Sequence, residues 1–96
     1  MLRLDDKEVN KMETCISKDG TAYVATNDFN DAAKKEVDKF LDGNIPVRVI
    51  PACIGHTLAE MIESAATFYF RKRGAKQVDI VKHYSIGDCK EKYWVL

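Results

Sequence analysis

The sequence predicts an α/β (α+β) two-layer sandwich, with two helices on one face of a mixed sheet of four to five strands. Residues 45–86 follow the order strand, Pro/Gly turn, helix and strand, at a length that suits a parallel crossover unit. Near the start, Asp19-Gly20 separates two short β-favouring runs, which is typical of a hairpin. Two further β-rich runs close the chain. We therefore expect the order ββαβαββ in a single domain of 96 residues.

The first half of the chain is predicted to form a hairpin followed by a helix. Residues 1–12 carry alternating charges and few apolar side chains, which indicates a flexible or short helical arm. Strands are expected near residues 13–17 and 21–26. The helix that follows has three candidate N-caps, which are Asn27, Asp28 and Asn30. Its apolar row has spacings of three and four and consists of Phe29, Ala33, Val37, Phe40 and Leu41. Gly43 suits the left-handed residue that ends such a helix.

In the second half, a short strand at residues 45–50 ends at Pro51, which has no N–H to give to a sheet ladder. Thr57 and Glu60 have the spacing of a capping box, so we expect a helix at residues 58–73 that stops at Gly74. The apolar face of this helix consists of Leu58, Met61, Ile62, Ala65, Phe68 and Tyr69. It is broader than one sheet needs, and two interpretations stay open: deep burial, or contact with a second protomer. The runs VDIVKHYSI and KYWVL, joined by GDCK, predict a closing hairpin.

Composition narrows the classes of function. Fifteen basic and fifteen acidic residues give a net charge of zero, which argues against an unselective polyanion binder. Residues 1–45 are acidic on balance and residues 46–96 are basic, which suits electrostatic steering or ordinary surface variation. None of the three cysteines forms a C-x-x-C pair, so neither a zinc knuckle nor a redox motif is indicated. Their odd number and long spacings argue against a disulfide-stapled secreted domain. No run is apolar enough for a membrane span or a signal peptide, and we expect a cytoplasmic protein with no membrane contact.

A basic segment with aromatic neighbours gives the first functional hypothesis. Basic side chains interleaved with aromatic ones bind nucleic-acid backbone and stack on bases. The alternative is that these cations complete the helix dipole while the aromatic residues belong to the core. We predict a small non-catalytic protein whose RNA or DNA interface lies at the end of the second helix and on the C-terminal hairpin. The predicted contacts are Arg71, Arg73, Lys76, Lys82 and the neighbouring His56.

The loop before the second helix gives a catalytic alternative. Cys53 lies just before a helix N-terminus, where the dipole lowers a thiol pKa, and His56 is near enough in sequence to act as a base. No acid that would orient the histidine is identifiable, and a small cysteine in a tight turn explains the pattern without chemistry. We therefore expect no enzyme activity, with Cys53 as the candidate reactive thiol. The dispersed carboxylates and the lack of a phosphate loop predict no metal site and no cofactor.

From Tyr23 onward, the order of elements resembles the Alba-like fold of small DNA- and RNA-binding proteins. The segment IGHTLAEMIESA is similar to that family's turn into its second helix, and VDIVKHYSIG is similar to its third strand. The resemblance extends over residues 21–96. It implies nucleic-acid binding through basic turns and a basic hairpin, and it implies a homodimer.

The chain departs from this family at the positions that bind nucleic acid. Residues 26–28 form the first turn and include no lysine. Gly55 matches the family's glycine, whereas His56 takes a place that is usually basic. The hairpin at residues 87–90 is short and contains Asp88. A second hypothesis stands beside the first: a protein–protein interaction module, such as an inhibitor or adaptor, with no nucleic-acid contact. It is favoured by the small size of the chain, its charge asymmetry, the lack of a catalytic constellation and the aromatic residues near the C-terminus.

Overall fold

The computed structural model describes residues 12–52 and 55–96. In this part of the chain the elements are β1 (Met12–Ile16), β2 (Ala22–Thr26), α1 (Asp31–Asp42), β3 (Val47–Pro51), α2 (His56–Lys72), β4 (Lys76–Tyr84) and β5 (Gly87–Val95). The predicted order ββαβαββ and the α+β class are confirmed. The predicted arm at residues 1–12 lies outside the described residues except for Met12, which begins β1.

The strands form one mixed sheet in the order β1-β2-β3-β5-β4. Strands β2 and β3 are parallel, with Ala22 opposite Val47, and the other neighbours are antiparallel. The β4–β5 hairpin is paired along its whole length, from Lys76 opposite Val95 to Tyr84 opposite Gly87. Its link to β3 is much shorter, because these two strands are paired at Val47 and Trp94. The hairpin is therefore held to the rest of the sheet mainly at its base.

Both helices pack on the same face of this sheet, and one core lies between the layers. The predicted apolar row of α1 is buried throughout, as apolar burial requires. From α2, the core receives Ile62, Ala66 and Phe70. The sheet supplies Ala22, Val24, Val47 and Trp94. The helices also meet directly, because the Tyr69 hydroxyl donates a hydrogen bond of 2.8 Å to Asp38.

The helix ends differ from prediction at two positions. Asn30 caps α1 as expected, accepting a hydrogen bond from the Ala33 N–H at 3.1 Å. Gly43 does not take the left-handed conformation, because its φ is −86° and Asn44 takes that role at φ 59°. The capping box at Thr57 is also wrong. Gly55 is the N-cap of α2 at φ 112°, a backbone angle that glycine adopts readily, so the helix starts before Thr57.

The closing hairpin is confirmed, but its turn lies earlier than predicted. Strand β4 continues to Tyr84, and the turn consists of Ser85 and Ile86. The segment GDCK is therefore the start of β5 and not a connection. Gly87, at φ 138°, supplies the unusual backbone angle directly after the turn.

Candidate interaction surfaces

Helix α2 has two rows of apolar side chains on different sides. The inner row, Ile62, Ala66 and Phe70, repeats every four residues and is buried against the sheet. Phe70 stacks on Trp94, with ring centroids 4.9 Å apart and nearly parallel planes. A second row has spacings of three and four residues and lies on the side that the sheet leaves uncovered. We call it the outer row, and it consists of Leu58, Met61, Ala65 and Phe68.

The outer row is open to solvent. Leu58 is 52% exposed, Met61 is 61% exposed and Phe68 is 73% exposed. Of the two interpretations of this face, deep burial is therefore wrong for the single chain. Scattered exposed apolar residues are normal on protein surfaces, whereas three large ones in a single row make this face a candidate interaction surface.

Charged side chains border the outer row, and their sign changes along the helix. A shallow groove beside Phe68 is lined by Glu60, Glu63, Ser64, Thr67 and Arg71. The two glutamates lie in the first half of α2, and Arg71 lies in its last turn next to the exposed Lys72. The surface therefore has an acidic half and a basic half around an apolar centre.

The basic end of α2 keeps part of the predicted nucleic-acid patch. Arg71, Lys72 and Lys76 are exposed, and they form no ion pair with any other side chain in residues 12–52 and 55–96. The turn at Gly74, with φ 80°, brings the start of β4 next to the end of α2. Three exposed cations are therefore available at this end.

Arg73 lies in the same turn but is held by α1. Its guanidinium donates to Asp38 and, at 2.9 Å, to Asp42. These two carboxylates raise the pKa of Arg73 against the opposing effect of desolvation. Asp38 also accepts the hydroxyl of Tyr69, whose pKa is raised by burial and by this carboxylate. The charge of Arg73 thus joins the two helices.

Lys82 is also committed to a partner within the chain. Its ammonium donates to Asp19 at 2.5 Å and to Thr21 at 2.6 Å, and it lies 5.2 Å from the centre of the Tyr93 ring. Hydrogen bonds from Lys82 and Thr21 lower the pKa of Asp19 to about 2. Burial alone lowers the pKa of Lys82, but Asp19 and Tyr93 raise it, and the net direction is upward.

The five predicted contacts do not form one patch. His56 begins α2 and Arg71 lies in its last turn, so about 22 Å of helix separates them at 1.5 Å per residue. His56 is exposed and its Nε2 lies 2.9 Å from Glu60. Lys82 packs on Tyr93. Side chains alternate along a strand, so Tyr93 lies on the face of the sheet opposite to Trp94, which packs on the helices. Lys82 and α2 therefore lie on different faces of the sheet. Arg71, Arg73 and Lys76 are the members that the fold brings to one end.

Sequence reasoning missed a polar and aromatic cluster on the face of the sheet away from the helices. Glu91 accepts hydroxyl hydrogen bonds from Tyr84 at 2.7 Å and Tyr93 at 2.8 Å, and Arg48 lies 3.3 Å from it. These hydrogen bonds and the charge of Arg48 lower the pKa of Glu91 against desolvation. Side chains at residues 91–94 alternate between the two faces of the sheet. Once the strand register is known, this alternation assigns the cluster to the face away from the helices.

A cleft opens on the other face where β3 and β5 diverge. It has a volume of about 300 Å³, with Phe70 and Trp94 at its base. Its polar lining includes Glu63 and Lys92, and Lys92 is also 3.3 Å from Asp79. Because Phe70 and Trp94 are buried, the cleft offers little apolar surface to a ligand.

The remaining site predictions concern chemistry. Cys53 lies outside the described residues, so the predicted reactive thiol has no structural counterpart here. Within residues 12–52 and 55–96, no group of three or more His, Cys, Asp or Glu side chains is placed to hold a metal ion. No helix among these residues is long and apolar enough to cross a membrane.

Comparison with known proteins gives no relative that would assign a role to either surface. No family model matches the chain, and neither does any curated protein or solved structure. The resemblance to the Alba-like fold stays a prediction.

Proposed function

We propose that this protein is a small, non-catalytic protein–protein interaction module that binds through the outer row of α2. One observation carries the proposal: Leu58, Met61 and Phe68 are each more than half exposed and lie in a single row. Burying such side chains on association is favourable by about 1.5–3 kcal/mol each. Phe68 belongs to the outer row and also lines the groove, which suits it as an anchor.

Ion pairs within the chain favour this proposal over nucleic-acid binding. Two of the predicted phosphate contacts, Arg73 and Lys82, are paired with carboxylates of the same chain. Breaking these pairs to contact phosphate would leave Asp38 or Asp19 without its partner, which costs free energy.

The exposed free thiols of Cys15 and Cys89 fit a reducing compartment and support the predicted cytoplasmic location.

Capture from extract tests the proposal when it is paired with variants. Tagged wild-type protein, Phe68→Glu and the control Ile86→Glu are incubated with nuclease-treated extract. Ile86 is 97% exposed at the hairpin turn, far from α2 in sequence, so its variant matches the change in polarity. The wild type and Ile86→Glu are expected to retain the same protein, and Phe68→Glu to lose it. Titration with that protein in purified form should show about 100-fold weaker binding for Phe68→Glu. Equal retention by all three contradicts the proposal.

A second candidate, nucleic-acid binding, is favoured by the three unpaired cations Arg71, Lys72 and Lys76. Phosphate contacts release counterions, so affinity for RNA or DNA would fall steeply with salt. The Arg71→Ala/Lys76→Ala variant should then bind a mixed-sequence RNA or DNA oligonucleotide with a lower salt slope than wild type. Lys35→Ala, an exposed lysine on α1, is the matched control. Equal affinity and salt slope in the wild type and the double variant would exclude this candidate.

A further inference from the structure

We infer that the partner on the outer row is a second copy of this chain, bound so that the two α2 helices lie antiparallel about a two-fold axis. The inference rests on the proposed function and names its partner. In a two-fold interface the same surface is used by both copies, so it must be complementary to itself. The outer row and the flank that carries Glu60 and Arg71 meet this condition when the two helices are antiparallel.

Charge selects the antiparallel direction. Glu60 and Arg71 line the same groove beside Phe68, so both lie on one flank of the outer row, Glu60 near its start and Arg71 near its end. In a parallel two-fold pair this flank would meet the opposite flank of the partner helix, so Glu60 and Arg71 would not face each other. Antiparallel helices place the acidic half of each copy against the basic half of the other. Each dimer would then contain two symmetric Glu60–Arg71 contacts.

Side-chain size fits the same arrangement. Ser64 and Ala65 occupy the middle of the exposed face, and both are small. A two-fold axis near them lets the helix backbones approach, since small residues at a crossing point permit close packing. Met61 of one copy then lies against Phe68 of the other, and the reverse contact forms by symmetry. The largest exposed side chains are therefore buried in pairs on either side of a narrow centre.

The interface has a limited size. Helix α2 has 17 residues, which is about 25 Å at 1.5 Å per residue. An interface of one helix from each copy lies at the small end of specific interfaces, and we expect a dissociation constant on the order of micromolar. The His56–Glu60 pair does not oppose the contact, because both groups are exposed and such pairs contribute little.

Sedimentation equilibrium over protein concentrations from about 1 to 500 µM tests whether the dimer forms. Wild-type protein and the Ile86→Glu control should change from monomer to dimer across this range. Phe68→Glu should stay monomeric, because it places a carboxylate twice in the apolar centre and weakens association about 100-fold. Circular dichroism verifies that the variant is folded, and Glu is a good helix former at an exposed position.

Charge reversal tests the antiparallel direction. Glu60→Lys and Arg71→Glu should each weaken self-association about tenfold, because each homodimer then contains two like-charge contacts. Mixing the two variants should restore wild-type affinity. In the mixed dimer the two substituted side chains face each other with opposite charges, and the unchanged Arg71 of one copy faces the unchanged Glu60 of the other. Within one helix the two positions are 11 residues apart, so neither change alters a contact between them inside the chain. A parallel dimer would show no loss of affinity in the single variants relative to wild type.

Several outcomes would overturn the inference. Wild type that is monomeric at the highest concentration overturns the second copy as partner, as does a dimer that survives Phe68→Glu. Single variants that are not weakened, or a mixture that is not restored, overturn the antiparallel arrangement. If the wild type is monomeric but binds a different protein, and Phe68→Glu loses that binding, only this inference is refuted and the proposed function stands.

Discussion

The ammonium group of Lys82 lies between a carboxylate, a hydroxyl and an aromatic ring. Asp19 and Thr21 accept its hydrogen bonds, and Tyr93 lies beneath it. The Lys82 side chain is 10% exposed while that of Asp19 is 45% exposed. The two ends of this ion pair are therefore unequal, because removing the carboxylate leaves a buried charge whereas removing the ammonium leaves a solvated one. We expect Asp19 to matter more for stability than its exposure suggests.

Substitution Asp19→Asn should lower the free energy of unfolding at neutral pH more than the control Asp79→Asn, which removes an exposed ion pair with Lys92. The acid limb gives a second signature. The folded-state pKa of Asp19 is about 2, below its ordinary value of 3.8. Its stabilising contribution is therefore present above pH 3.8 and is lost as pH falls through about 2. Urea unfolding between pH 5 and pH 2, in steps of about half a unit, measures both effects. Asp19→Asn should lose less stability than wild type across that window, and parallel curves for the two proteins would contradict the assignment.

At the scale of elements, α2 shows which features the sequence pattern predicts and which depend on tertiary contacts. The predicted apolar face of α2 includes Ile62 but omits Ala66 and Phe70, which are buried against the sheet. A helix offers no local signal for which of its apolar side chains meet the sheet. That choice depends on where α1 lies, because Asp38 of α1 and Phe29, just before this helix, cover the side of Tyr69. The outer row is what remains after the sheet and α1 are in place. For the same reason, the sequence alone leaves open whether this face is buried within the chain or contacts a second protomer.

The fates of the predicted cations follow from long-range contacts. Arg73 meets a carboxylate 35 residues away, and Lys82 meets one 63 residues away. Neither separation corresponds to a local motif, so composition and spacing alone left both side chains as candidates for solvent. Arg71 and Lys76 stayed accessible because no acidic side chain of α1 reaches them. The sequence thus predicted the location of the basic end but not which of its charges are available.

Element boundaries failed for a related reason. Local rules correctly predicted that both hairpins form and that the α1 row is buried, because those signals are short-range. The start of α2 moved to His56 because the backbone enters it through Gly55 at positive φ, which makes the capping box unnecessary. The closing turn moved to Ser85 and Ile86 because pairing of β4 with β5 continues to Tyr84 and Gly87. Sheet pairing therefore includes the segment GDCK in β5, although its residue types favour a turn.

The whole molecule consists of two strand groups that share one core. Strands β1, β2 and β3 form one group and the β4–β5 hairpin forms the other, joined at the pair of Val47 and Trp94. Helix α2 reinforces this joint, since Phe70 stacks on the Trp94 ring. Ala75, also buried, follows α2 and leads directly into β4. Trp94 is therefore the side chain through which the hairpin, the central sheet and α2 are coupled.

Truncation of Trp94 should accordingly affect the entire fold. Trp94→Ala is expected to lower the free energy of unfolding by about 3–5 kcal/mol, because it removes a buried ring and leaves a cavity. Trp94→Phe keeps a ring against Phe70 and should cost about 1–2 kcal/mol. Val81→Ala, at a half-exposed position in β4, is the control and should change stability by about 0.5 kcal/mol or less. Urea unfolding followed by far-ultraviolet circular dichroism measures all four proteins without relying on the single tryptophan. If Trp94→Ala unfolds at the same urea concentration as Val81→Ala, the hairpin is not coupled to the sheet through this residue, and the two strand groups are stabilised independently.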